Sequence, residues 1–179
     1  MGEIKDWVSI FLGVIGGSLA LIQYHKAQKW KRAEFVAEQM KLFDADPNVI
    51  AVKRILDYWK TAVTLHADGE QKLALVGTEE FVRAIRVLTE TESNPTGEDL
   101  AVREAFDKFS EWLDRFAAYI ESGLITRSDL APYLSYYWNT LKMSGPQKRD
   151  QAILNFLSSY GYKRVIDQFL SSSPVRDRS

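Results

Sequence analysis

Two histidines, His25 and His66, and no cysteine are this chain's whole supply of side chains that ordinarily titrate near neutral pH. The missing thiols exclude disulfides, thiolate metal sites and cysteine nucleophiles. Neither histidine has a sequence neighbour that makes a ligand pair or a base–nucleophile pair. His25 follows a long apolar run, which places it at lipid headgroups, and His66 falls in an irregular stretch read as a loop. Acid–base chemistry would then fall to a buried carboxylate. The carboxylates, however, mostly take the polar sides of helical wheels, and Asp107, Glu111 and Asp114 share one such face. Ala118–Asp129 has the glycine and aliphatic offsets of a calcium-binding EF-hand loop at Gly123 and Ile125. Its first, third and fifth ligand positions are Ala118, Ile120 and Ser122, and only Asp129 could offer a carboxylate. A hard cation needs six to eight oxygens, so this is a helix–helix turn. With no phosphate loop, serine elbow or paired-histidine zinc motif either, the reading is no catalytic activity, no cofactor and no metal.

Two groups of residues carry binding chemistry instead. Tyr133, Tyr136, Tyr137 and Trp138 with Lys142 could stack on and charge-pair a planar anion such as a nucleotide, although at helical spacing such a group also serves as core and edge. Lys26, Lys29, Lys31 and Arg32 crowd four cations into seven residues and could each gain about 1 kcal/mol against anionic lipid. Nucleic acid is not an expected partner: the net charge is −1, and the chain has no basic footprint. Residues 70–130 carry seven cations against thirteen acids, and residues 131–179 carry seven against three, an asymmetry that suits a solvated surface.

The element that would bring those lysines to a bilayer is the eighteen-residue run WVSIFLGVIGGSLALIQY, Trp7 to Tyr24, which has no formal charge. As a helix it would cover roughly 27 Å, close to a hydrocarbon core of ~30 Å. Trp7 and Tyr24 would stand at its two interfaces. The cations follow the run rather than precede it, so residues 1–6 face outward and everything after Tyr24 lies in the cytoplasm. Two other readings compete. A signal peptide cleaved after Ala20 satisfies the small-residue rule, yet residues 1–6 lack a positive n-region and the cations oppose translocation. A buried core helix fits the short length, yet core helices rarely run so far without a charge on some face. The expectation is a single-pass anchor in the inner (plasma) membrane. Within it Ser9, Gly13 and Gly17 recur every fourth residue, and Gly16 with Ala20 adds a second small pair. Such a face lets two backbones approach closely, so a homo-oligomer is expected.

Downstream, about 155 residues make one domain. The hydrophobic content of 46 %, with five Trp, eight Tyr and nine Phe, is ample for a core. Ala33, Val36, Met40 and Phe43 continue the first helix as an amphipathic stripe over 25–43. Asp46-Pro47 resets the chain, with Asp46 as N-cap and Pro47 at the first helical position. Val49, Val52, Leu56, Trp59 and Val63 then predict a helix to about Val63. Residues 64–77 are irregular, with a turn at Asp68-Gly69. Thr78 opens a helix to Leu88 that buries Phe81, Val82, Ile85 and Leu88. A polar loop fills 89–97. The best-patterned helix, Glu98 to Ser122, carries Val102, Phe106, Phe109, Leu113, Phe116 and Ile120 on one seam and the pairs Glu104–Lys108 and Glu111–Arg115 outside. Its phenylalanine-rich seam, about three heptads long, suits the centre of an intramolecular bundle better than a coiled-coil dimer. Gly123 ends it, and Thr126 with Asp129 restarts the chain in the manner of a capping box. Pro132 kinks the next helix or delays it to Ala131, and Leu134, Tyr137, Trp138 and Leu141 follow. Ser144-Gly145-Pro146 breaks the chain. Helix resumes over Gln147–Tyr160, stops at Gly161 and returns for Tyr162–Leu170, before a frayed tail over 171–179. No sustained period-two alternation appears, so no sheet is expected.

Two blocks, WKRAEFVAEQMKLFDADPNVIAVKRILDY from Trp30 and VREAFDKFSEWLDRFAAYIESGLITRSDLAPYL from Val102, resemble an uncharacterised group of bacterial proteins with one N-terminal membrane helix and a small all-helical domain. The resemblance implies a cytoplasm-facing helical module and carries no active residues. The expectations are thus an all-α fold, with a membrane helix over 7–24, an amphipathic helix over 25–43 and a helical domain over 44–170. The chain would bind and assemble at the cytoplasmic face of a bacterial membrane, with an unidentified protein partner. The alternative is a sensor or effector that takes a small nucleotide-like anion and acts through its oligomeric membrane helices.

Overall fold

The computed structural model describes the backbone of residues 2–67, 70–87, 95–143 and 147–171, and the side chains of 15–66, 70–87, 95–141 and 148–171. The turn expected at Asp68-Gly69, most of the 89–97 loop, the break at Ser144-Gly145-Pro146 and the tail after Ser171 lie outside them. The chain divides into two compact units, residues 1–38 and 39–179. It is predominantly helical, as read, with one exception.

Helix α1 runs Gly2–Ala45 without a break. Val36, Met40 and Phe43 are buried as the stripe predicts, whereas Ala33 is exposed. Asp46 ends α1 and starts α2 (Pro47–Asp57): its backbone is extended, its side chain accepts from the Asn48 amide at 2.9 Å, and Pro47 needs no partner at the first position.

The exception follows α2. The predicted helix to Val63 stops at Asp57, where Tyr58 turns extended, and residues 60–77 form a hairpin where no sheet was expected. Strand β1 (Lys60–Ala67) pairs antiparallel with β2 (Glu70–Gly77), and Val63 lies opposite Ala74 and Thr64 opposite Leu73. One face buries Val63, Leu65, Ala74 and Val76, and the other leaves Leu73 and Leu75 in the open. His66 therefore stands on a strand and not in a loop. At the hairpin base the Thr78 amide donates to the Trp59 carbonyl at 3.2 Å. A Cβ at Gly77 would lie 3.3 Å from that same carbonyl and 2.7 Å from Glu80 Oε2, so a larger residue would crowd this corner and displace the Glu80 side chain.

Glu80 Oε2 accepts from the Gly77 amide and starts α3 (Thr78–Ile85), which buries Phe81 and Ile85; Val82 is half-buried and Leu88 lies outside the described residues. Backbone amides hold the Glu80 carboxyl below its usual range despite the opposing effect of burial. The central element is α4 (Gly97–Glu121). It buries Val102, Phe106, Phe109, Leu113 and Phe116, with Ile120 only half-covered, and packs against α2, α3 and β1. The intramolecular bundle is thus the arrangement found. Phe106 meets Phe81 edge-on at 5.3 Å and Phe156 at 5.1 Å, and Phe43 meets Phe116 at 5.6 Å, so one ring chain joins four helices.

Gly123 at φ +74° closes α4, and Gly161 at φ +83° closes α6 (Gln147–Ser159), the left-handed stops the sequence announces. Between them α5 spans Arg127–Met143. Asp129 Oδ2 accepts from the Thr126 amide at 2.8 Å, so the predicted cap forms and the helix starts before Pro132, not at Ala131. A short α7 (Lys163–Val165) continues into one π-helical turn, Ile166–Leu170, that buries Phe169. Among the described residues no helix is long and apolar enough to cross a membrane. The side chains of the first half of the Trp7–Tyr24 run, with Ser9 and Gly13 of the small-residue face, lie outside those residues, so a membrane helix has no support from this criterion.

Candidate functional site

The aromatic group on α5 divides by helical position rather than converging on one ligand. Trp138 turns inward, is buried, and stacks on Phe169 with ring centroids 5.2 Å apart and planes 18° from parallel. The Arg127 guanidinium covers it at 5.2 Å. Lys142 has no described side chain, so its place in the group is not part of the geometry. Tyr133 and Tyr136 stay at the surface, and Tyr137 is half-buried.

Tyr137 belongs to a polar cluster built by the end of α1, by α2 and by α5. Lys53 on α2 places its ammonium 4.6 Å from the Phe43 ring centroid and 5.0 Å from that of Tyr137, while it pairs with Asp44. A cation held over two rings and against one carboxylate is satisfied on all sides, which makes Lys53 a clamp between helices. Burial, then the charges of Asp57, Tyr136 and Asp44, push the Tyr137 phenol up to about 12. The Tyr136 phenol is raised by its hydrogen bond to the Asp57 carboxylate and by that carboxylate's charge. Both phenols stay protonated at neutral pH, and that of Tyr136 donates to Asp57.

What remains at the surface is an aromatic rim. Trp59, which the periodicity placed inside a helix, stands between α2 and β1 and is 77 % exposed. Tyr58 precedes it, also exposed, and lies within electrostatic reach of Tyr136. The outer face of the hairpin follows along the chain, with Lys60, Ala62, Thr64, His66, Gln71, Leu73 and Leu75 on it and Lys60 at its base as the one formal charge among them. Exposed Tyr, Trp and Leu are residue types enriched where proteins meet.

In the N-terminal unit every side chain described from Ile15 to Lys31 is exposed. Ile15, Leu19, Leu21, Ile22 and Tyr24 are among them, and a Cβ added to Gly16 or Gly17 would meet nothing within 4 Å. At about 100° per residue, Ser9, Gly13, Gly16, Gly17 and Ala20 fall within one arc of α1. Lys26, Lys29 and Arg32 fall within another, Lys31 lies apart from them, and Trp30 beside it is 78 % exposed.

The carboxylates read as one solvated face do structural work instead. Asp107 accepts from the Tyr162 hydroxyl at 2.7 Å, Asp114 takes a two-pronged contact from Arg164, and Glu111 pairs with Lys108. The predicted pair Glu111–Arg115 gives way to Arg115 lying 4.3 Å over the Trp112 ring. The sequence reading also missed Asp99, a buried carboxylate that joins α4 to Arg83 on α3 at 2.9 Å and closes a capping box with Thr96. The Thr96-x-x-Asp99 spacing was the available signal. Among the described residues no cluster of His, Asp and Glu could hold a metal ion. No family model, curated protein or solved structure matches the chain.

Proposed function

We propose that this chain is a membrane-anchored binding and assembly protein, with residues 7–24 in a bacterial inner membrane and the helical domain on the cytoplasmic side. The observation that carries the reading is the unbroken exposure of Ile15–Tyr24, ten residues without a formal charge. Left in water, that surface would present Ile15, Leu19, Leu21 and Ile22 around the helix, with none of them buried among the described residues. Lipid, or a second helix in lipid, removes the cost. Tyr24 and Trp30 suit the headgroup level, and Lys26, Lys29, Lys31 and Arg32 supply the positive flank that stays inside.

Copies would associate through the arc of Ser9, Gly13, Gly16, Gly17 and Ala20, where small side chains or none let backbones meet. The domain would present the aromatic rim of Tyr58, Trp59, Tyr133 and Tyr136 to a protein partner. The test is crosslinking of the full chain in native membranes. Gly13→Leu combined with Gly17→Leu should abolish the oligomer while membrane retention persists. An unchanged crosslinked species would refute association through this face.

A further inference from the structure

The outer face of the β1–β2 hairpin is sorted by size. Its centre is Ala62 and Thr64 on β1 and Leu75 and Leu73 on β2, and the register sets Ala62 beside Leu75 and Thr64 beside Leu73. All four are exposed, Leu73 by 77 % and Leu75 by 59 %. The solvated face of an antiparallel sheet is ordinarily polar, so two open leucines at its centre mark a surface that meets something apolar. His66 beside Gln71 lies toward the tip, and Lys60 beside Gly77 closes the base.

That sorting makes the face complementary to itself. A second copy, turned by half a rotation about an axis parallel to the strands and laid face to face, puts its β1 over β2 of the first. Leu73 then meets Thr64 of the second copy and Leu75 meets its Ala62, and symmetry repeats both contacts. Large side chains enter the room that small ones leave, as in packed sheets about 10 Å apart. The ends fit as well. His66 faces Gln71 and Lys60 faces Gly77, so the face's one formal charge does not oppose itself. An axis across the strands would instead set leucine on leucine and leave Ala62 and Thr64 facing a gap.

The size of the face says which neighbour can use it. Two eight-residue strands cover about 27 Å by roughly 10 Å, on the order of 270 Å². A stand-alone complex buries about 800 Å² on each partner, so this face is too small to hold a freely diffusing protein. It suffices for a neighbour already tethered nearby, whose effective concentration is in the millimolar range.

We infer that the hairpin's outer face packs on the same face of a second copy, Leu73 and Leu75 of each over Thr64 and Ala62 of the other. This rests on the proposed association through the membrane span, which supplies the tether.

The chain has no cysteine, so introduced thiols report alone. Two differently tagged full-length copies, one Thr64→Cys and one Leu73→Cys, are co-expressed and treated in native membranes with dibromobimane, a short thiol-to-thiol reagent. The mixed dimer should form at least fivefold more than from Thr64→Cys with Ser158→Cys, an exposed α6 position outside the face. Adding Leu75→Lys to both copies should cut it at least threefold and leave the oligomer crosslinked through the span unchanged. Gly13→Leu with Gly17→Leu should remove both. A link that survives those two changes would support the facing hairpins and refute the tether. An intact oligomer without the Thr64–Leu73 link overturns the inference and spares the span reading, whereas no oligomer at all overturns both. Equal yield from Leu73→Cys alone would mean leucine on leucine and overturn the arrangement. Bimane on Leu73→Cys quenched by acyl-brominated lipid, without a link, would give the face to the bilayer and overturn it too.

Discussion

Asp46 uses both carboxylate oxygens, one on the Asn48 amide at the start of α2 and one on Trp112 Nε1 of α4 at 3.0 Å. Asp46→Ala removes a cap and leaves a partly buried indole N–H without its partner, so it should cost about 1–2 kcal/mol in denaturant unfolding. Asp46→Asn keeps an acceptor and should cost clearly less. Asp99 is an acid-sensitive residue. Burial raises its pKa, but hydrogen bonds from Arg83 and Thr96 outweigh that, and the net shift is downward. A carboxyl with a depressed folded pKa stabilises fully above its unfolded value of about 3.9 and loses that contribution as pH falls through the folded value. Asp99→Asn should therefore melt well below the parent at pH 7, and the gap should close at about pH 2. A gap that stays constant across that range would show that the ion pair is not its origin.

Among the elements, the helices were legible because their apolar residues recur at 3.6-residue spacing and their ends are punctuated. Asp46-Pro47, Thr126…Asp129, Gly123 and Gly161 each do locally what their chemistry dictates. The hairpin was not legible, for two physical reasons. Leu56, Trp59 and Val63 keep helical spacing by coincidence across a boundary that Tyr58 breaks. The alternation that marks a strand is also erased in β2, where the outward Leu73 and Leu75 alternate with the buried Ala74 and Val76 and all four are apolar. The aromatic row on α5 was legible as a set but not as a site, since one helix must send Trp138 and Tyr136 in different directions. The hairpin gives a clean contrast of faces. Leu73→Lys with Leu75→Lys should shift stability by no more than about 0.5 kcal/mol per site, whereas Leu65→Ala should cost about 2–5 kcal/mol. Equal effects from the two faces, by urea unfolding, would contradict the register.

For the whole molecule, the two units make different demands on their surroundings. Residues 39–179 bury a connected aromatic core, and a chain lacking residues 1–24 should stay monomeric and fold cooperatively in plain buffer. The N-terminal stretch buries none of its described apolar side chains up to Tyr24, and the proposed membrane would cover them. The most direct measurement is the distribution of the full-length protein after cell lysis and an alkaline carbonate wash of the membranes. The account predicts that it stays in the membrane pellet until detergent is added, and that removal of residues 1–24 transfers it to the supernatant. Full-length protein recovered monodisperse from the soluble fraction, without detergent, would contradict it.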